Sequence, residues 1–290
     1  MKNYIITTDS TCDLPSSYYQ EHQIGLMHLS YTIDDETFEG DHQLAVHEFY
    51  NRMRDGAMPT TSQVNPEAAK ETFLQLIKEH DCDIIHIGFS SGLSGSCGSA
   101  SIAAQELTDE NIGHQITVID SLCASLGEGL LVHKAVMLKE NGATYQEVID
   151  WLEAHKLNLV HNFTVDDLFN LHRGGRVSRT AAIIGTIANI KPILHVDNEG
   201  HLIPLGKVRG RKKSLIELVN NMEKQIGSYR NQNDIVFISH GDCEEEAEFV
   251  ASQVKERFGI QSFIINAVGP TIGAHSGPGT MALFYLGDYR

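Results

Sequence analysis

Short β-rich runs alternate with helical patterns through the first half of this chain, and that repetition constrains its fold more than any other feature. Tyr4–Thr8 is apolar and β-rich and ends in Asp9-Ser10-Thr11; Leu26–Ile33 reads as a second strand. Asp83–Phe89 and Gln115–Asp120 are compact buried-strand patterns, each followed by a Ser/Gly loop and then a helix. Leu44–Met53 has helical spacing. Asn65-Pro66-Glu67 is a helix start, with Asn65 as N-cap and Pro66 at the first helical position, and that helix is expected to run to about His80. Thr144 and Glu147 make a capping box. Strand, loop and helix in this rhythm predict a mostly parallel, doubly wound sheet.

From about Leu157 the texture changes. Pro192–Val196 and Leu202–Val208 flank Asp197-Asn198-Glu199-Gly200, a hairpin turn, and two helical patterns (Ser214–Ile226, Glu244–Phe258) alternate with strands near Ile235–Ser239, Ser262–Ala267 and Met281–Leu286. The expectation is an α/β protein of two domains. An N-terminal one over 1–157 carries the parallel sheet; a C-terminal one over 158–290 carries a mixed sheet. A length of 290 residues fits two lobes sharing one crevice.

Composition excludes some function classes. Thirty-eight acidic against 22 basic residues leave a net charge of -16, which repels nucleic acid and anionic membranes at long range. Five scattered cysteines without a C-x-x-C pair argue against a disulfide framework or zinc ribbon, so a reducing, cytoplasmic setting is expected. No apolar run approaches the roughly 20 residues of a membrane span, and the opening residues read as a strand, not a signal peptide. No phosphate loop, H-E-x-x-H or G-x-G-x-x-G follows a strand, so neither a metal nor a nucleotide site is expected.

Ligands of open α/β sheets bind beyond the carboxyl ends of the strands. Asp9-Ser10-Thr11, the loop from Ser90 to Ser96, and Asp120-Ser121 occupy that edge. The middle loop leads into a helix over Cys97–Leu107, whose free N–H groups and dipole suit an anion; Ser and Gly there also serve simply as caps. Thr60-Thr61-Ser62-Gln63 is a second hydroxyl-rich stretch, or a plain linker before the Asn65 cap. Gly269–Gly279 sets four glycines and two prolines around His275 in a loop costly to order, and that histidine is placed to donate to an anion. Two basic clusters stand out: Arg173 and Arg176 with Arg179, and Lys207 to Lys213 with Arg209 and Arg211. Arginine favours bidentate contact with carboxylate or phosphate. Between them the uncharged stretch Thr180–Ile190 lines a channel or forms a core helix.

Taken in order, Asp9–Pro15, Thr61-Ser62-Gln63, Ser90–Ser96, Asp120-Ser121, Arg173–Arg176, Lys191-Pro192 and Ile272–Gly279 resemble the DegV family over a unit spanning 3–287. The resemblance implies a long-chain fatty acid held in a tunnel between the lobes, no cofactor, and no catalysis by this chain. It implies carboxylate contacts from Thr61 and Ser94, with Ser91 as fallback, Ser62 beside them and His275 close by. It also implies a separate ATP-dependent fatty acid kinase as partner, with the acyl phosphate carried to phospholipid synthesis. In that hand-over it points to Arg173 and Arg209, with Arg176 and Arg211 as alternates. Two rivals stand beside it. One is a serine hydrolase with Ser94 as nucleophile, His275 as base and Asp120 or Asp242 as orienting acid, although Gly92-Leu93-Ser94-Gly95-Ser96 misses the last glycine of the nucleophile elbow. The other is DNA binding, which the charge and the lack of a helix-turn-helix pattern oppose.

Overall fold

The computed structural model describes residues 3–166, 168–178 and 189–290. Arg179 and nearly all of the uncharged stretch after it therefore lie outside the described residues. Tyr4–Asp9 (β1) is fully buried and sits between Gly25–Met27 (β2) and Asp83–Gly88 (β6), with Ile116–Asp120 (β7) outside β6. All three pairings are parallel, as the repetition predicts. Helices Pro66–His80 (α3) and Ser96–Asp109 (α4) pack on one face, around a core that includes Phe73, Ile84 and Ala103. Asn65 Oδ1 accepts from Ala68 N at 2.9 Å and caps α3 as expected. The Thr144 box opens Tyr145–His155 (α6).

The run predicted as one strand over Leu26–Ile33 is two. It breaks at His28-Leu29, so β2 stays in the parallel sheet while Ser30–Ile33 (β3) leaves it. β3 then pairs antiparallel with Glu36–Phe38 (β4) and with Thr60–Ser62 (β5), setting Tyr31 opposite Thr61. The hydroxyl stretch is thus a strand of a small third sheet and not a linker. Val46–Arg54 (α2) covers this sheet, and Tyr31, Phe38, Phe49, Tyr50 and Ala274 form its core.

Leu159–Thr164 (β8), Ile190–Val196 (β9), Leu202–Arg209 (β10), Ile235–His240 (β11), Ser262–Ala267 (β12) and Met281–Leu286 (β13) build a six-stranded mixed sheet in the order β10-β9-β8-β13-β11-β12. The predicted hairpin joins β9 to β10, with Asp197 Oδ1 accepting from Glu199 N at 3.0 Å and His201 N at 2.8 Å. Helices Arg211–Gln225 (α8) and Glu244–Phe258 (α9) cover one face. α8 starts three residues before the expected Ser214, which divides the second basic cluster between a strand end and a first helical turn.

Leu126–Glu140 (α5) lies between the parallel and mixed sheets. Leu126, Leu130, Leu131 and Ala135 are completely buried, because a helix with a sheet on each side has no solvent face. Its core joins Tyr4 and Ile85 of the first half to Phe163, Phe237 and Phe284 of the second. The fold is accordingly two α/β domains around a shared seam.

Candidate functional site

A cavity of about 410 Å³ opens where the lobes meet. Phe163, Ala282 and Phe284, on adjacent strands of the mixed sheet, form one wall, joined by Val196 and Leu202 of the hairpin. Phe89 and Leu93 close it from the parallel-sheet side. Against these apolar surfaces stand Thr61, Ser62, Gln63, Ser94, Arg176 and His275.

The polar group is held from several elements at once. The Thr61 hydroxyl lies 2.8 Å from His275 Nε2. Ser94 Oγ is 3.0 Å from Ser96 Oγ, which is fully buried and accepts from Val64 N at 3.2 Å. His275 belongs to a helix, Pro270–Ser276 (α10), where a shaped loop was expected. Pro270 supplies its first turn, and Gly277 (φ +80°) ends it by accepting the left-handed backbone. Arg173 ends a short helix, Phe169–Arg173 (α7), and donates to Pro59 O and Ala274 O at 2.9 Å each. Gly174 follows because a Cβ there would fall 2.1 Å from His275 Nδ1. Arg176 Nε donates to Leu93 O at 3.1 Å.

Burial, with Arg176 and Arg173 adding positive charge, pushes His275 down to about 4. The ring is neutral at pH 7. Its Nδ1 is buried without an acceptor among the described residues, and an N–H there would forfeit about 1–3 kcal/mol. With the proton on Nε2, the ring donates to Thr61 and leaves the Thr61 O–H to point elsewhere. A neutral donor pair, a serine hydroxyl and a half-buried guanidinium suit one carboxylate with an apolar tail.

Not every expected residue converges here. Ser91 is exposed and lies outside the cavity lining; its backbone N–H donates to Asp120 Oδ1 at 3.2 Å. Two carbonyls within the chain accept from the Arg173 guanidinium, which ties α10 to the residue before β5. Arg209 is exposed at the end of β10. Arg211 pairs with Glu246 Oε2, at 2.9 Å through Nε and 2.5 Å through Nη2. The hydrolase arrangement does not form. His275 Nε2 meets Thr61 and not Ser94, Asp120 accepts from Ser91 N and Leu122 N, and Asp242 is bound by Arg54 and His47. Arg176 lines the cavity, and its link to Leu93 spans 83 residues and leaves no local sequence mark. The inward-facing Phe163 and Phe284 likewise read as ordinary strand residues.

Among known proteins, the DegV family, described as an uncharacterised protein family, matches residues 3–288. A DegV domain-containing protein of Clostridium perfringens is 41% identical over 292 residues, covering 100% of this chain and 99% of its own. The structure of a fatty-acid-binding DegV family protein from Thermus thermophilus superimposes with a TM-score of 0.87 at 28% identity, over 99% of this chain and 100% of that one. Bacillus subtilis DegV, described as a fatty acid binding protein, gives 0.85 at 29% identity, again over 99% and 100%.

Proposed function

This chain belongs to the DegV family, and from that premise we propose that it binds one long-chain fatty acid in the cavity between its lobes. The observation that carries the proposal is an apolar cavity with hydroxyls, a neutral histidine and one guanidinium gathered on its rim. Each buried methylene contributes about 0.8 kcal/mol, so an acyl chain supplies the affinity. A carboxylate drawn in with it must be met by donors, since an unpaired buried charge is costly. Thr61 and Ser94 are the proposed headgroup donors, with Ser62 beside them; His275 orients Thr61, and Arg176 supplies the opposite charge.

The finer reading is a cytoplasmic carrier that presents the carboxylate to a separate ATP-dependent kinase and carries the acyl phosphate toward phospholipid synthesis. Arg209, exposed and unengaged by any hydrogen bond or ion pair among the described residues, is the proposed partner contact. Native mass spectrometry of the purified protein, followed by lipid extraction, tests the ligand. One fatty acid per chain is expected; protein that is empty and takes up no added oleic acid would refute the reading. Arg209→Ala should retain lipid yet slow phosphorylation by an added kinase, and loss of lipid binding in that variant would remove Arg209 from the partner role.

A further inference from the structure

Behind the cavity wall lie three carboxyl groups that the headgroup site does not use. Asp9, at the end of β1, is completely buried; its Oδ2 accepts from Phe89 N at 2.7 Å and its Oδ1 has no partner among the described residues. Glu128, in the first turn of α5, is equally buried and accepts from Thr8 Oγ1 at 2.8 Å and Thr11 Oγ1 at 3.2 Å. Asp13 is 6% exposed and accepts from Ser125 Oγ at 2.5 Å and Gly269 N at 3.0 Å.

The groups facing them are almost all neutral or acidic. Cys12, Tyr19 and Tyr50 lie within electrostatic reach of Asp13, and Cys97 of α4 within reach of Asp9 and Glu128. The first turn of α5 lends Glu128 its partial positive charge. No lysine or arginine pairs with any of the three among the described residues. His86 comes nearest, its Nε2 3.8 Å from Asp9 Oδ1, and that nitrogen too is buried without a hydrogen bond. Burial lowers His86 to about 4, so it brings no cation at neutral pH. Three buried carboxyls without a counter-ion cannot all ionise in place. Burial, opposed by the Phe89 amide, raises Asp9 to about 7; burial, opposed by Ser125 and Gly269, raises Asp13 to about 7. Burial and then the charge of Asp9 push Glu128 well up.

Two of these acids hold the cavity wall. Asp9 grips Phe89, while Asp13 grips Ser125 and the residue after Val268; Phe89, Ser125 and Val268 all line the cavity. We propose that Asp9, Asp13 and Glu128 form a protonation-dependent latch: neutral, they let the wall segments close on the ligand; charged, they repel one another and loosen it. The ligand's identity rests on the fatty-acid reading above; the latch itself rests on the carboxyl geometry.

The test has a lipid-free arm and a lipid arm. In ligand-free protein, the infrared band of protonated carboxyls is followed against pH together with hydrogen-exchange protection at Phe89 and Gly269, whose amides donate to Asp9 and Asp13. A carboxyl should titrate near neutrality, with protection falling over the same range. In protein loaded with a fluorescent fatty acid, release to phosphatidylcholine vesicles should quicken by about tenfold across that range, equivalent to about 1.4 kcal/mol. Asp9→Asn should move the midpoint of both arms, because it removes an acid that titrates near neutrality and whose charge holds Glu128 up; Asp13→Asn provides a second variant should that one fail to fold. Absence of carboxyl titration near neutrality, or titration without change in wall protection, overturns the latch whatever the ligand. A midpoint of release that both variants leave in place overturns it as well. Failure to bind any fatty acid refutes the functional reading alone, since the lipid-free arm still reads the latch.

Discussion

Two polar regions meet the same cavity under opposite electrostatic rules. On the rim, Thr61, Ser94 and His275 are neutral and Arg176 is cationic, so an incoming negative charge completes the set. Behind the wall, Asp9, Asp13 and Glu128 are buried without a cationic partner among the described residues, so negative charge is what that region must avoid. One region is short of an anion and the other has too many acids. The difference teaches that polar burial alone does not mark a ligand site; the sign of the missing charge does.

Stability against pH probes the contrast most strongly. Buried His86, His133 and His275, held near 4, cost stability as the pH falls below about 6.5, whereas the raised acids favour folding while protonated, and their contribution should fall as the pH climbs from about 4 to about 7. At about 1.4 kcal/mol per pKa unit the loss is several kcal/mol, checked by urea denaturation across that range. Asp9→Asn isolates the acids' share: its stability should fall less across that range than the parent's, and an unchanged fall would mean that Asp9 finds compensation in the folded state.

On the rim, Arg176→Met should weaken fatty acid retention by about 3 kcal/mol, measured by competition with a fluorescent fatty acid, because the carboxylate would be left desolvated without its cation. Undiminished affinity would place the headgroup elsewhere. Thr61→Ala and Ser94→Ala should each cost about 1.5–3 kcal/mol of retention in the same assay, and full retention in the double variant would break the headgroup assignment. The smallest expected effect lies far from both regions. Asn65→Ala should lower thermal stability by about 1 kcal/mol through loss of the α3 cap, with lipid retention unchanged. It supplies the scale against which the site-specific losses are read.

Much of this was legible in the sequence where local chemistry decides structure. Asn65-Pro66, the Thr144 box and the Asp197 turn each carry their own hydrogen-bonding instructions, and each folds as read. The stretches holding Thr61, Ser94 and His275 were legible as candidates because hydroxyls, glycines and a histidine cluster there at strand ends and helix starts. What sets those stretches side by side is long-range. The Thr61–His275 contact joins residues 214 apart, and no window of sequence contains both. Leu26–Ile33 was misread as one strand because its apolar character continues across the break at His28-Leu29; only the partners on either side differ. The Arg173–Arg176 stretch reads as arginines shaped to meet a carboxylate or phosphate, yet two backbone carbonyls claim Arg173. Asp9 reads as a polar loop residue at the sheet edge and is instead completely enclosed.

The small sheet carries a mechanical consequence. Thr61 sits on β5 and His275 on α10, and both elements adjoin the aromatic core of Tyr31, Phe38, Phe49, Tyr50 and Ala274 rather than the core of either large sheet. The hydroxyl and the ring that orients it therefore share one mounting. If the jaws of the cleft part to admit an acyl chain, this pair travels as a single piece and its alignment survives each cycle of loading.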